Sequence, residues 1–314
     1  MRAAVTTRRV LGAIVVTVLF VSCGARTGLL VPEEPEEPDA PADVRPDVRD
    51  AAAEDAPKDV VSDDSLVFPD VPIISDCPDA GETLIYIVGT ANELYSFYPP
   101  TRAFTQIGTI ACETTGTPNS MAVTRSGIAF VNFTDGNLFE VSTANAACKA
   151  TPYVADQHQY LEYGMGYTAI ADGGETLFVA GLGGVFSQGL ANIDTTAFTL
   201  DLIAPFSPMQ YNCELSGTAT GELYGFCPFQ GGSYLIQIDP VTANVLTSVQ
   251  LSAGFHGGQE AWAFAYWGGD FWLFTGSSGP STVTDYDPVA MTETVVAIAP
   301  LEIIGAGVST CAPE

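Results

Sequence analysis

Ser233-Tyr234-Leu235-Ile236-Gln237-Ile238-Asp239-Pro240-Val241-Thr242 reads as one strand and one turn: side chains alternate in apolar character as far as Ile238, then Asp, Pro and Thr stop the strand. The same unit recurs along the chain. It appears as Asn92-Glu93-Leu94-Tyr95-Ser96-Phe97-Tyr98-Pro99-Pro100-Thr101, as Gly136-Asn137-Leu138-Phe139-Glu140-Val141-Ser142-Thr143, as Gly189-Leu190-Ala191-Asn192-Ile193-Asp194-Thr195-Thr196, and as Ser281-Thr282-Val283-Thr284-Asp285-Tyr286-Asp287-Pro288. A second unit sits between copies of the first: Ser120 to Gly127, Tyr167 to Gly174, Ser216 to Gly221 and Trp262 to Gly269. Its small residues suit an innermost strand crowded around an axis. Each copy leads through a glycine turn into a further strand, such as Thr176 to Ala180 or Phe271 to Thr275.

Inner-strand starts about 45 residues apart are the period of one four-stranded propeller blade. The expectation is an all-β fold, a β-propeller of five four-stranded blades over residues 77–314. Six blades with one degenerate copy, or a β-sandwich, are the alternatives. The ends of the repeat are out of phase: the chain enters at a second strand, Cys77 to Thr90, and finishes on an inner one, Gly305-Ala306-Gly307-Val308-Ser309. Pairing the last strand with the first blade closes the ring and removes two sheet edges. The Leu-Tyr-x-Ile-Asp-Pro-x-Thr-like turns resemble quinoprotein-like and surface-layer-like propeller repeats of bacteria. Tyr163-Gly164-Met165-Gly166-Tyr167 and Ala261 to Gly269 are also similar to segments of uncharacterised myxobacterial lipoproteins, a resemblance that implies architecture and source but no activity.

The first 22 residues read as a signal peptide. Arg2, Arg8 and Arg9 precede the apolar run Val10 to Val21, which is too short to cross a ~30 Å hydrocarbon core as a helix. Phe20-Val21-Ser22-Cys23-Gly24 resembles the lipobox of bacterial lipoproteins, with Phe20 where leucine is usual. The resemblance implies that Cys23 is acylated and anchors the chain to the envelope, at the outer membrane, on its periplasmic or surface face. Two or more acyl chains give durable attachment, at about 0.8 kcal/mol per buried CH2. A plain secretory peptide is the alternative reading. Thr7-Arg8-Arg9-Val10-Leu11 resembles part of a twin-arginine export signal. Residues 23–76 then form an acidic Pro/Ala/Asp/Glu-rich linker with no aromatic residue before Phe68. Such a segment cannot offset its ordering entropy and is read as a disordered spacer, extended to roughly 3 Å per residue.

The net charge is -27, and Lys and Arg together number 10. No basic stretch could neutralise a run of phosphates, so nucleic acid is excluded as a partner. The expected contacts are the membrane through the lipid and an unidentified protein or glycan, made by a monomer. Acidic loops make calcium the cofactor to consider. Seven cysteines less Cys23 leave an even set in an exported chain, which suggests disulfides. The blade scheme pairs Cys77 with Cys311, latching the ring, and Cys213 with Cys227. Cys112 and Cys148 remain by elimination, although the strand directions put them at opposite faces.

Catalytic motifs are missing: there is no Gly-x-Ser-x-Gly elbow, phosphate loop, His-Glu-x-x-His or dinucleotide fingerprint. His158 and His256 fall in connections leading to inner strands, and Trp262 lies near the start of one, where it could stack on a sugar. A glutamate precedes every inner strand: Glu113, Glu162, Glu214, Glu260 and Glu302. Alternating strand directions bring all five connections to one face. Glu214, Glu260 and Glu302, at similar short spacings, are expected to converge there, either as inter-blade acceptors of N–H groups or as a site for calcium or a cationic ligand. The sequence thus reads as a non-catalytic binding or scaffold module, with an envelope hydrolase of glycosidase or metal-dependent lactonase type as the alternative.

Overall fold

The computed structural model describes residues 83–171, 173–184, 186–229, 232–253 and 261–314. Cys23, the signal segment 1–22, the linker 23–76, Cys77, His256 and Glu260 lie outside the described residues. Within them, twenty strands form five four-stranded antiparallel sheets. Blade 1 combines β20 (Ile303–Val308) with β1 (Ile85–Gly89), β2 (Glu93–Tyr98) and β3 (Ala103–Thr109). Blade 2 is β4 (Pro118–Val123), β5 (Ile128–Phe133), β6 (Leu138–Ser142) and β7 (Cys148–Ala150). Blade 3 is β8 (Tyr163–Ala169), β9 (Glu175–Gly181), β10 (Gly189–Asp194) and β11 (Thr199–Ala204). Blade 4 is β12 (Glu214–Gly217), β13 (Leu223–Phe229), β14 (Gly232–Ile238) and β15 (Val245–Leu251). Blade 5 is β16 (Ala261–Trp267), β17 (Asp270–Gly276), β18 (Thr282–Asp287) and β19 (Thr292–Ile298).

The ring closes as the phase of the repeat requires. β20 pairs antiparallel with β1, Ile85 opposite Val308 and Val88 opposite Gly305. Five buried apolar clusters lie one in each seam between consecutive blades. Val88 and Leu94 meet Met121 and Phe133 between blades 1 and 2, and Phe130 meets Tyr163 and Leu177 between blades 2 and 3. Phe178 meets Leu215 and Ile236 between blades 3 and 4, and Phe226 meets Phe264 and Leu273 between blades 4 and 5. Trp272 and Phe274 of blade 5 then meet Ile85 and Phe97 of blade 1, completing the circle. This is a five-bladed β-propeller; six blades and a sandwich are ruled out by the strand order.

The recurring turn has a physical basis. In blades 3, 4 and 5 its aspartate folds back on the chain: Asp194 Oδ1 accepts from Thr196 and Ala197 N–H at 2.7 and 3.0 Å, Asp239 Oδ1 from Val241 and Thr242, and Asp287 Oδ1 from Val289 and Ala290. These N–H groups hold the Asp194 and Asp239 carboxyls below the usual range. The turn then returns through a left-handed residue, Arg102, Ala146, Phe198, Ala243 or Met291 in successive blades. A left-handed residue therefore serves the third-to-fourth strand connection in all five blades, and the aspartate joins it in blades 3, 4 and 5.

Both disulfides among the described residues match the expected partners. Cys213 and Cys227 are bonded with Cα atoms 4.2 Å apart, and Cys112 and Cys148 with Cα atoms 5.3 Å apart. The strand directions had put Cys112 and Cys148 at opposite faces; the end of the outermost strand of blade 1 instead packs onto the outer turn of blade 2. Gly108 sits so close to Ala146 there that a Cβ added at Gly108 would lie 3.0 Å from the Ala146 Cβ. Cys311 is also disulfide-bonded; the pairing expected for it involves Cys77, outside the described residues.

The inner strands begin earlier than the sequence units indicated. β8 starts at Tyr163 rather than Tyr167, and β12 at Glu214 rather than Ser216. Glycine and serine in the first turns of these strands mask a β pattern, because such strands pack backbone against backbone.

Candidate functional site

Glu214 therefore belongs to an inner strand, not to a connection. Its neighbour strand β8 carries Gly164 and Gly166 where β12 passes: a Cβ at Gly164 would lie 2.0 Å from the Cys213 carbonyl oxygen and 2.7 Å from the Glu214 Cα. Only the absence of a side chain lets the two strands come this close. Across that gap the Glu214 carboxylate reaches blade 2, where the Ser120 hydroxyl donates to its Oε2 at 2.6 Å. Ser120 Oγ in turn accepts the Met165 N–H of blade 3 at 3.1 Å. Strands from blades 2, 3 and 4 are thus tied by one polar chain. Glu214 is 3% exposed and Ser120 fully buried. Burial pushes the Glu214 pKa up to about 8, against the opposing pull of the Ser120 hydroxyl and the Met165 N–H. Next to this chain, Asn119 Nδ2 donates to Asn132 Oδ1 at 3.1 Å and to the Tyr163 carbonyl at 3.2 Å.

The other expected glutamates are placed differently. Glu302 Oε1 accepts the Ser278 N–H at 2.8 Å, from the loop between β17 and β18. Glu162 is partly buried, which raises its pKa, and its carbonyl accepts from Leu182 N–H. Glu113 is exposed. Glu260 lies outside the described residues, so the expected trio of Glu214, Glu260 and Glu302 is described only for two members, each with partners of its own. Among the described residues no three His, Cys, Asp or Glu side chains gather so as to hold a metal ion. His158 is exposed on the 3-10 turn Gln157–Gln159, which Gln157 ties to Phe198 and Leu200 at the outermost strand of blade 3. Trp262 packs against the cluster between blades 4 and 5, its indole N–H lacking a partner among the described residues.

The opposite end of the axis is covered by the segment that follows β20. Arg125 Nε donates to Thr310 Oγ1 at 2.7 Å and its Nη1 to the Gly173 carbonyl at 2.7 Å, while Thr310 donates to Glu175. Gly268 N–H donates to the Pro313 carbonyl at 2.7 Å, and Thr220 donates through N–H and hydroxyl to Glu314 Oε1, both at 3.0 Å. Turns from blades 2, 3, 4 and 5 all grip this one segment. Nothing in the sequence singled out Arg125 or Thr310, because their partners are far apart along the chain.

Between blades 4 and 5, on the same face as that segment, lies a groove of about 440 Å³. Tyr224, Tyr266, Phe271 and Val249 line it together with Val289 and Met291 of the blade 5 turn. Tyr224 and Tyr266 stack with ring centres 5.8 Å apart at 19°.

No family model matches the chain, and no curated protein matches it. Solved structures match it at low identity. One is Kuenenia stuttgartiensis hydrazine synthase, at 14% identity over 69% of this chain, with a TM-score of 0.41; the match spans 63% of that chain. The nidogen/laminin complex matches at 11% over 76% of this chain and 83% of the other, TM-score 0.43, and the Dos1 propeller at 9% over 69% and 68%, TM-score 0.41. The blade count and closure rest on the strand pairing itself.

Proposed function

We propose that this chain is a non-catalytic binding or scaffold module, held at the bacterial envelope by a lipid on Cys23 and set off from the membrane by the acidic segment 23–76. The observation that carries the reading is how the propeller spends its axis. Glu214 is turned inward onto Ser120 and Met165, and the segment after β20 caps the far end. Side chains available to a ligand then lie on the rim, where rigid blades present them at fixed spacing. The lipobox-like Cys23 and the acidic linker support the envelope address.

The alternative is a hydrolase in which Glu214, with its pKa raised to about 8, serves as a general acid. Such a reaction needs a second carboxylate or a bound metal beside it. Fractionation of cells separates the parts of this proposal. The native chain is expected in the envelope membranes and Cys23→Ser in the soluble exported fraction; membrane retention of Cys23→Ser overturns the anchor. Turnover of a glycoside or lactone panel by the native chain, abolished in Glu214→Gln, overturns the non-catalytic reading.

A further inference from the structure

We propose that the groove between blades 4 and 5 docks a segment of a partner polypeptide in which an aliphatic side chain stands beside a lysine or arginine. The inference rests on the binding-module reading and names its site and its partner's chemistry. Two properties of the groove carry it.

The first is an exposed apolar lip. Val289 is 92% and Met291 76% exposed at the blade 5 turn, and Val249 of blade 4 faces them across the groove at 39%. Beneath them Phe271 and Tyr286 are buried, at 3% each, and give the groove an aromatic floor. Solvent-facing aliphatic residues gathered over a firm aromatic floor are the composition of a contact site rather than of ordinary surface.

The second is unbalanced charge at the rim. The Tyr224 hydroxyl donates to Glu222 Oε2 at 3.0 Å, and Gln237 donates to Glu222 Oε1 at 3.1 Å. Glu222, Glu314 and Asp270 all act on Tyr266, whose phenol is raised first by burial and then by these carboxylates. Asp270 is itself raised to about 6 by burial, with repulsion from Asp285 and Asp287 added. Against these acids stand few cations: the Lys and Arg of residues 83–314 are Arg102, Arg125 and Lys149. Arg125 is committed to Glu175, Thr310 and Gly173, and Lys149 to Glu140 at 2.7 Å. Arg102 acts on Asp285. Among the described residues Glu222 and Glu314 are therefore met by neutral donors, and an incoming cation supplies the charge that those residues do not. An aliphatic group for the lip and a cation for the rim describe one extended peptide.

The test uses the full chain and a fluorescently labelled, capped hexapeptide alternating valine with lysine, read by anisotropy. Micromolar binding is expected, weakened ~10-fold by Glu222→Lys and ~5-fold by Val289→Ser. Both positions are exposed, so unchanged melting curves establish that the variants are folded. A hexapeptide alternating serine with lysine is expected to bind at least ~10-fold more weakly. Equal binding of the two peptides overturns the proposal in favour of nonspecific attraction to an acidic protein. Valine–lysine binding that both variants leave unchanged places the contact elsewhere and overturns the groove while leaving the binding-module reading standing. Absence of binding at millimolar peptide overturns the groove as well. The wider reading fails on a different result, the turnover of glycosides or lactones described above.

Discussion

The seams on either side of blade 4 handle carboxylates in opposite ways. On the side of blades 2 and 3, Glu214 is taken out of water and answered by the Ser120 hydroxyl and the Met165 N–H, over glycines that leave no room for anything else. On the side of blade 5, Glu222 and Glu314 stay at the rim of an open groove on side-chain and backbone donors, with Asp270 acting on the same tyrosine, and no described Lys or Arg pairs with Glu222 or Glu314. The contrast separates an acid that belongs to the architecture from acids that stay within reach of solvent. A buried carboxyl group with fixed partners favours one arrangement of strands and resists ionisation; rim carboxylates cost the fold little and act at a distance.

The strongest way to break this contrast is Gly164→Val. Its Cβ would fall 2.0 Å from the Cys213 carbonyl. The inner strands of blades 3 and 4 must then part, and a loss of ~3 kcal/mol or more is expected, seen as a collapse of the melting transition. A melting temperature equal to the native one would show that the two strands do not need their close approach.

Glu214→Gln sharpens it through pH. The folded pKa, about 8, stands above the ordinary value of 4.5. The folded chain therefore binds the proton more tightly than the unfolded one. The stability this contributes is fully present below about 4.5 and is lost as pH rises through about 8. At about 1.4 kcal/mol per pKa unit the loss is on the order of 4 kcal/mol. Denaturant titrations at pH 5 and pH 9 should show the native chain losing more stability than Glu214→Gln. Parallel losses in the two proteins would mean that Glu214 is solvated rather than buried.

The smallest effect belongs to the groove. Tyr224→Phe removes one hydrogen bond to the exposed Glu222 and is expected to cost at most ~1 kcal/mol in thermal melts, with no pH signature of its own. A larger loss would move these tyrosines from the ligand surface into the framework.

Much of the fold was legible because it repeats. The alternation from Ser233 to Ile238 followed by Asp239 had counterparts in every blade, and the phase shift between the first and last units pointed to β20 beside β1. The site was legible only in part. Glu214 was noticed as an acid ahead of an inner strand but was placed in the connection, since Ser216 and Gly217 carry too little side chain to show a strand already under way. Its partner Ser120 was hidden for another reason: the contact spans 94 positions and crosses an intervening blade. Tyr224 and Tyr266 read as ordinary strand aromatics, because nothing local reveals that two adjacent blades hold them face to face. Cys112 and Cys148 were paired correctly by elimination, although the strand directions argued against it.

The closure of blade 1 also sets an order in time. β1 finds its inner neighbour in β20, and Thr83 reaches Cys311 across 228 positions. As the chain is synthesised, β1 is among the first of the described strands to emerge and waits, one edge bare, for a strand that arrives after four complete blades. Contacts so distant in sequence form slowly, and a bare β edge invites pairing with other chains meanwhile. The glycines and alanine of β20, Gly305, Ala306 and Gly307, let that late strand enter a space the other inner strands have already narrowed: a Cβ at Gly307 would stand 3.0 Å from the Ala122 Cα. The last strand is thus shaped to slide into a ring that is already waiting for it.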